Sequence, residues 1–277
     1  MRSRWIQALA ITVAVVVLLT SHQVHLAAQQ ETPTPASGAG TVPEGVVVEP
    51  LGRQELGQLQ PGPAFIGLAR LIFEPDAAAP VETATGPTLF FVESGMVTFE
   101  VDGGTTVVQA TPSGSGASVG AGSQLLIPVG AIFSSRNDGP APAAVLRVAI
   151  SSVAPGPVVA PGVTFQRLAS AVAEALPSPP AWIALSRVTL TPGARTVTRA
   201  RQEDGPDLLF VEVGRATIGV PGAEMTLSPG NTAVIQPKTE SVIRNGTISP
   251  LVLLVLALSS EPIETSVATP ATGTPEA

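Results

Sequence analysis

The residue types that most often bind transition metals, or act as bases and nucleophiles at neutral pH, are nearly missing from this chain. Its 277 residues include two histidines, His22 and His25, and neither cysteine nor tyrosine. Both histidines lie inside a predicted export signal, so we expect no imidazole or thiolate chemistry in the mature protein. This composition argues against common metalloenzymes and against Ser–His–Asp or Cys–His catalysis.

The remaining chemistry belongs to arginines and carboxylates. Arg195, Arg199, Arg201 and Glu203 occupy alternate positions, so on a strand several of them would face the same side. Two guanidinium groups on one face can grip a carboxylate or another anion through paired hydrogen bonds. The alternative, which the sequence leaves open, is that Arg201 pairs with Glu203 or Asp207, or that the arginines point into solvent.

The two ends of the chain predict an exported protein with unstructured termini. A short basic segment precedes an apolar run from Ile6 to Leu19, and small residues follow at Ala27 and Ala28. These features predict a cleavable signal peptide at 1–28, because the run is shorter than the roughly 20 residues that span a bilayer. An uncleaved anchor is the alternative. Residues 29–44 and 261–277 are rich in Pro, Thr, Gly and Ala and are predicted to be disordered.

The charge balance limits the expected partners. Removing the signal deletes two of the 14 basic residues and none of the 21 acidic ones, so the mature net charge is 12 − 21 = −9. An acidic chain of this kind is not expected to bind nucleic acid or an anionic membrane surface. No membrane span is expected after signal cleavage, and export without cysteine requires stability from a packed core.

The middle of the chain contains an internal repeat. Residues 65–76 match residues 182–193 at an offset of 117, and residues 86–95 match residues 205–214 at an offset of 119. Aligned Gly-Pro, Phe-Val-Glu and Gly residues over such lengths indicate a duplicated domain. We place the two copies at 45–153 and 163–260, joined by a Pro/Gly/Ala-rich linker at 154–162.

Each copy reads as a series of short strands. Apolar residues alternate with polar ones after Gly95 and again after Gly214, and Gly/Pro turns recur between the apolar segments. This pattern predicts an all-β barrel or sandwich. Glu93 and Glu212, beside these glycines, are expected at the surface. One short helix is predicted from 165 to 176, with a buried stripe formed by Phe165, Leu168, Val172 and Leu176.

The segment from Gly122 to Asn137 resembles a motif of the cupin superfamily, G(X)5PXG(X)2H(X)3N. Every spacing agrees, with Phe133 at the histidine position; the second copy keeps only Gly230 and Asn245, at the two ends of the motif. The chain is therefore similar to a bicupin over residues 45–260. The resemblance implies two tandem cupin barrels of the double-stranded β-helix, or jelly-roll, type, with the short helix linking them.

The other cupin motif, G(X)5HXH(X)3–4E(X)6G, supplies most of that family's metal ligands, and it is degenerate here. In the first copy, the ligand positions hold Glu82, Ala84, Thr88 and Phe133. In the second copy, they hold Arg201, Glu203, Asp207 and Ser241. A permanent cation at Arg201 would repel a metal ion, and Phe133 is expected to fill the first barrel with apolar volume. We therefore expect no metal and no cofactor.

Three functional hypotheses follow from these features. The first is a secreted, metal-free bicupin that acts as a scaffold or binds a small anionic ligand in the second barrel, through Arg199, Arg201, Glu203, Asp207 and Ser241. The second is a metal-independent lyase or isomerase, with Glu203 or Asp207 as the base and Arg201 as an electrostatic stabiliser. The third is a structural module whose barrel edges form a homo-oligomer.

Overall fold

A computed structural model of the chain describes residues 43–60, 62–102, 106–108, 111–113, 116–154, 156–198 and 205–263. The predicted signal peptide, most of the 29–44 linker, most of the 261–277 tail, and the candidate residues Arg199, Arg201 and Glu203 lie outside these ranges. The described residues contain no helix that is long and apolar enough to cross a membrane.

The described part of the chain forms β-strands and turns, which confirms the all-β prediction. The strands of the first copy are β1 Val46–Leu56, β2 Ala64–Phe73, β3 Glu82–Thr83, β4 Thr88–Ser94, β5 Met96–Asp102, β6 Thr106–Val108, β7 Thr111–Ser113, β8 Gly116–Gly120, β9 Gln124–Ile127, β10 Ile132–Arg136 and β11 Ala143–Ser151. Those of the second copy are β12 Val163–Ala173, β13 Ala181–Leu190, β14 Arg195–Thr198, β15 Asp207–Val213, β16 Ala216–Val220, β17 Ala223–Leu227, β18 Thr232–Ile235, β19 Ser241–Arg244 and β20 Leu251–Ser259.

Four antiparallel sheets build two barrels. In the first barrel, large sheet 1 has the order β12-β2-β11-β4-β9-β6 and small sheet 1 the order β3-β10-β5-β8-β7. In the second barrel, large sheet 2 has the order β1-β13-β20-β15-β18 and small sheet 2 the order β14-β19-β16-β17. The two sheets of each barrel face one another because alternate residues on their strands are apolar and bury against the facing sheet.

The first strand of each copy belongs to the other copy's large sheet. β1 pairs with β13, running from Val46 opposite Leu190 to Leu56 opposite Ala181. β12 pairs with β2 in the equivalent register, from Val163 opposite Phe73 to Ala173 opposite Ala64. The duplication therefore produces a reciprocal strand exchange, and the two halves are joined by two sets of main-chain hydrogen bonds as well as by side-chain packing.

The predicted helix at 165–176 is wrong, because residues 163–173 form strand β12. A bulge between Arg167 and Ala169 shifts the register, so Leu168 and Ala169 are both buried while Val172 is 54% exposed. Apolar residues around a bulge can reproduce helical spacing over a dozen residues. The open edge of β2 offers a continuous row of main-chain partners, and this tertiary pairing overrides the local pattern.

Three apolar cores fill the spaces between the four sheets. One core occupies the first barrel and includes Phe73, Phe90 and Phe99. Another occupies the second barrel and includes Ile218 and Leu253. The remaining core lies between the two large sheets and draws on β1, β2, β4, β11, β12, β13, β15 and β20. The two large sheets are thus buried on both faces, which explains the near-continuous apolar sequence of β20.

A buried asparagine fixes the same loop in each barrel. The Asn137 amide nitrogen donates to the carbonyls of Phe73, Glu74 and Ala141 at 3.2, 3.2 and 2.8 Å, and its oxygen accepts from the Gly139 amide at 2.9 Å. The equivalent partners of Asn245 are the Leu190 carbonyl, the Ser249 carbonyl, and the amide and hydroxyl of Thr247. The loop between the last two strands of each barrel is therefore fastened to the end of β2 or β13.

Two repeat-related glycines combine a left-handed conformation with a close main-chain approach. Gly95 and Gly214 have φ values of 74° and 82°, in the left-handed region that favours glycine. A Cβ atom on Gly95 would also lie 2.8 Å from the Cα of Ala143, and one on Gly214 would lie 2.5 Å from the carbonyl oxygen of Pro250. Both glycines are therefore required by conformation and by space.

Candidate functional site

The concave face of large sheet 1 carries a cavity of about 310 Å³. Strands β2, β11 and β12 and the segment that follows β11 enclose it. The lining residues are Phe65, Ile66, Gly67, Leu68, Ala69, Arg147, Ala149, Ala154, Gly156, Phe165, Arg167, Ser170, Ala171 and Val172. Its size lies at the lower end of the range for small-molecule sites, and most of its wall is apolar, as such sites require.

Small side chains in the middle of three paired strands create this space. Gly67 lies opposite Ala149 on β11 and opposite Ser170 on β12. Ala69 lies opposite Arg147 and Arg167 in the same way. Directly paired residues share a face of the sheet, so a floor of small residues is flanked by larger ones at each end. The cavity follows from side-chain size along β2.

Arg147 and Glu82 form a bidentate ion pair inside the first barrel. The two terminal nitrogens of Arg147 donate to Oε1 and Oε2 of Glu82 at 3.1 and 2.8 Å. The Arg147 guanidinium also lies 5.8 Å from the ring centres of Phe90 and Phe133. This arrangement holds the guanidinium by paired charge-assisted hydrogen bonds on one side and by cation–π contact on the other.

One donor of Arg147 is left over. The residue is 9% exposed, and its Nε atom is buried with no hydrogen-bond partner among the described residues. A buried, unsatisfied donor costs about 1–3 kcal/mol. Arg147 is also one of the residues that line the cavity. It thus brings a charged side chain to a wall that is otherwise mostly apolar.

The four predicted positions of the first barrel offer few metal-ligating atoms. Glu82 lies directly opposite Phe133 in the β3–β10 pair. Ala84, Thr88 and Phe133 are 3%, 2% and 3% exposed, and the Thr88 hydroxyl donates to the Gly86 carbonyl at 3.3 Å. One carboxylate, already bonded to Arg147, and one hydroxyl are too few donors for a metal ion. No cluster of three His, Cys, Asp or Glu residues occurs in the described ranges.

The predicted pocket of the second barrel is only partly described. Asp207 begins β15 in large sheet 2, where it lies opposite Ile235, and Ser241 is fully buried at the start of β19 in small sheet 2. Arg199, Arg201 and Glu203 lie outside the described residues. Ligand binding or catalysis by this group of five therefore stays a prediction.

The described part of the second barrel differs from the first at the position of the cavity. In the second barrel, Arg53 of β1 lies opposite Ala184 of β13, which corresponds to Ser170 opposite Gly67 in the first barrel. The Arg53 guanidinium stacks 4.7 Å from the ring centre of Trp182. The position equivalent to Arg147, counted from the matched Asn residues, holds Val255. The space above the small residues of β13 is thus taken by an Arg–Trp stack, and a valine stands where Arg147 stands in the first barrel.

Sequence analysis missed Arg147, although the sequence contains a signal for it. β11 reads Ala-Ala-Val-Leu-Arg-Val-Ala-Ile-Ser, a strand buried on both faces that carries a single charged residue. A charge in such a strand must find a partner within the protein. That rule singles out Arg147, but it does not identify Glu82, which is 65 residues away.

Glu93 and Glu212, which we expected at the surface, are instead 13% and 14% exposed. They alternate with Arg70 and Arg187 in a closed ring of four charges between the two large sheets. Arg70 bonds to Glu93 and Glu212 at 2.6 Å each, and Arg187 bonds to them at 2.7 and 2.9 Å. The four residues are two repeat-related pairs, so the ring follows the pseudo-twofold symmetry of the duplication.

The ring also shifts protonation equilibria. Burial opposes the charged form of Glu212, but hydrogen bonds and charges from Arg187 and Arg70 outweigh it and lower the pKa of this carboxyl below its ordinary value. Burial likewise opposes the charge on Arg70 and Arg187, yet the two glutamates raise the pKa of both guanidinium groups. The contacts within the ring therefore favour the charged forms of Glu212, Arg70 and Arg187.

The comparisons with solved structures give similarity in fold over most of the chain. Oxalate decarboxylase from Bacillus subtilis is 14% identical, with 82% of this chain and 78% of that chain covered and a TM-score of 0.47. Procruciferin, an 11S globulin from Brassica napus, is 10% identical, with 76% and 86% covered and a TM-score of 0.47. AerE from Microcystis aeruginosa is 11% identical, with 76% and 98% covered and a TM-score of 0.44.

No protein-family model matches the chain, and no curated protein matches it. Identities of 10–14% are too low to transfer an activity from these structures. The described residues form two tandem antiparallel barrels of two sheets each, which exchange their first strands. This is the fold that the resemblance of residues 122–137 to the cupin motif leads us to expect.

Proposed function

We propose that this protein is a metal-free, exported bicupin that binds a small organic molecule in its first barrel. The cavity on large sheet 1 is the observation that carries the proposal. It combines apolar walls with a nearly buried arginine that retains an unsatisfied donor. Pockets of this composition bind ligands by apolar contact and orient them by a few polar groups.

The metal-free state is supported by the chemistry of the first barrel. Glu82 supplies a carboxylate that Arg147 neutralises, and Ala84 and Phe133 supply no ligand atoms. Elemental analysis of the purified protein checks this point. We expect less than about 0.1 equivalent of any transition metal and no change in melting temperature on chelation, because metal binding would stabilise the folded state. A stoichiometric metal would contradict the proposal.

Export is supported by the sequence of residues 1–28. Sequencing the N-terminus of the protein recovered outside the cytoplasm tests it. We expect the mature chain to begin at Gln29, directly after the small residues that precede the cleavage position. Recovery of the uncleaved chain in a membrane fraction would instead support the anchor alternative.

A thermal-shift screen of small aromatic and aliphatic molecules tests ligand binding. A ligand at ten times its Kd adds about 1.4 kcal/mol, which raises the melting temperature of a domain of this size by about 3–5 °C. Ala149→Leu would fill the cavity and remove the shift. Ala257→Leu, at the equivalent position of the second barrel, is the matched control and should keep it.

The two variants separate loss of binding from loss of folding. Both should retain the all-β circular dichroism spectrum of the wild type, since Ala149 borders the cavity and Ala257 is only half-buried. A shift that persists in Ala149→Leu would place the ligand elsewhere and contradict the proposal. If no compound raises the melting temperature of the wild type, a scaffold function becomes better supported than ligand binding.

A further inference from the structure

We propose that the ligand of the first barrel is an uncharged, predominantly apolar molecule about as large as naphthalene. This inference rests on the proposed function, since it names the chemical class that the cavity accepts. The charges beside the cavity, its walls and its volume each limit the ligand, and they lead to the same class.

The interior arginine has no group to offer to an ion in the cavity. Both terminal nitrogens of Arg147 are bonded to Glu82, at 3.1 and 2.8 Å. The Nε atom of Arg147 is buried, so it presents no surface through which a molecule in the cavity could reach it. An anion would therefore have to separate Arg147 from Glu82, and the Glu82 carboxylate would then lose the hydrogen bonds that satisfy it.

The other arginine beside the cavity is not free either. Arg167 lies on the edge strand β12, opposite Ala69, and already has a partner within the protein. Among the described residues that line the cavity, none is acidic, so a cation would find no carboxylate in this lining. An ion of either sign would give up hydration at the cavity without gaining an unengaged charge in return, and this penalty is large.

The walls offer apolar surface that a ligand can cover. Phe65 of β2 lies directly opposite Val172 of β12, so both side chains lie on the cavity face of the sheet. Phe65 and Phe165 are half-buried, and Val172 is 54% exposed. Removing such surface from water favours binding in proportion to the apolar area that is covered. We therefore expect the affinity to come from apolar contact, which charged or heavily hydroxylated molecules supply less well.

The volume limits the ligand's size. A cavity of about 150 Å³ with apolar walls admits benzene, and the volume here is about 310 Å³, so a fused aromatic ring system can enter. Gly67 and Ala149 lie opposite one another and leave the floor of the cavity without bulky side chains. We therefore expect a flat molecule of naphthalene size to fill the space above this floor.

The second barrel is not expected to bind this class at the equivalent place. Arg53 is stacked on Trp182 above the small residues of β13. The ring of Trp182 is therefore already covered on one face by a side chain of the protein. We expect one site of this kind per chain.

Titration calorimetry on the full chain with three naphthalene derivatives of similar size tests the inference. The probes are 1-naphthalenemethanol, which is uncharged, 1-naphthoate, which is an anion, and 1-naphthylmethylamine, which is a cation at neutral pH. We expect the alcohol to bind the wild type at one site and at least about tenfold more tightly than either ion, because only the ions lose the hydration of a charge.

Two valine variants link the binding to the wall of the cavity. Val172→Ser places a polar side chain in the wall and should weaken binding of the alcohol about fivefold, because apolar contact is lost. Val197→Ser is the matched control, since Val197 is 48% exposed on the edge strand β14 of the second barrel. It should change the affinity less than about twofold. Both side chains are exposed, so both variants should keep the circular dichroism spectrum of the wild type.

The outcomes separate the ligand class from the proposed function. If naphthoate or the amine binds as tightly as the alcohol, and Ala149→Leu abolishes that binding, the uncharged class is wrong and the cavity remains a binding site. If Val172→Ser and Ala149→Leu both bind the alcohol as tightly as the wild type, the ligand lies elsewhere and the inference is overturned. Absence of binding by all three probes also overturns the inference, and the thermal-shift screen then decides separately whether the cavity binds another class.

Discussion

Asn137 and Asn245 show how one buried side chain fastens a loop to the strand beside it. Each amide group saturates its donors and acceptors on the main chain of a loop and of the strand beside it. The position that the cupin motif gives to histidine holds Phe133 in one copy and Ser241 in the other, while asparagine stands at the end of the motif in both. Its function here is therefore structural.

Replacing this asparagine should be costly in both barrels. Asn137→Ala removes three or more hydrogen bonds in a site that is fully buried, so we expect a loss of about 2–4 kcal/mol in the free energy of unfolding. Asn245→Ala should lose a similar amount. Asn231, whose exposed side chain accepts one hydrogen bond from the Ser228 amide at 3.1 Å, is the matched control.

Denaturant unfolding of the three alanine variants measures this difference. Asn231→Ala should lose less than about 1 kcal/mol, because water can replace an exposed hydrogen bond. Equal losses in Asn137→Ala and Asn231→Ala would show that the buried network does not support the loop.

At the scale of elements, the large sheets are held together by an apolar core and by the ring of Arg70, Glu93, Arg187 and Glu212. A fully buried ion pair is expensive to desolvate, and an exposed pair contributes little. The ring lies between these limits, and each carboxylate is shared by two guanidinium groups. Sharing satisfies more donors per charge than an isolated pair, which favours a net contribution to stability.

The lowered pKa of Glu212 predicts acid sensitivity. A carboxyl group whose folded-state pKa is below its unfolded value of about 4.3 contributes stability above that pH and loses it as the pH falls through the folded-state pKa. The wild type should therefore lose stability between neutral pH and pH 3. Glu212→Gln should be about 1–3 kcal/mol less stable at pH 7 and should lose less on acidification.

Unfolding measured at several pH values compares these slopes. Glu100, which lies 3.9 Å from Arg136 and is 47% exposed, supplies the control variant Glu100→Gln. That variant should follow the wild-type pH dependence. If Glu212→Gln followed it as well, Glu212 would not be the source of the acid sensitivity.

At the scale of the whole molecule, the strand exchange makes the two halves interdependent. Each half contributes an edge strand to the other half's large sheet, and the core between the large sheets contains residues from both. A half separated from its partner would expose this apolar face, where each fully buried Leu, Ile or Phe contributes about 1.5–3 kcal/mol.

Separate fragments should therefore not fold as stable monomers. We expect fragments 43–154 and 157–263 to aggregate or self-associate when expressed alone, and to form a 1:1 complex when refolded together. Size-exclusion chromatography with light scattering measures the mass of each species. A monomeric fragment that unfolds cooperatively near the melting temperature of the full chain would contradict this expectation.

Most of the architecture could be predicted from the sequence because it depends on local patterns. The repeat, the alternation of apolar residues and the Gly/Pro turns are features of neighbouring residues, and they led to two all-β barrels. Motif spacing led to the resemblance to cupins and to Glu82, Ala84, Thr88 and Phe133 as candidate positions. The absence of cysteine, and of histidine after residue 25, could also be read directly, and it limited the expected chemistry.

Tertiary structure alone decided which residues meet. The strand identity of residues 163–173, the pairing of Arg147 with Glu82 and the ring around Arg70 all join residues far apart in sequence. Their energies depend on burial and on distances of about 3 Å, which no local pattern encodes. The sequence did not reveal the cavity. Its walls come from paired strands and include Gly67 of β2, Arg147 of β11 and residues beside the bulge in β12.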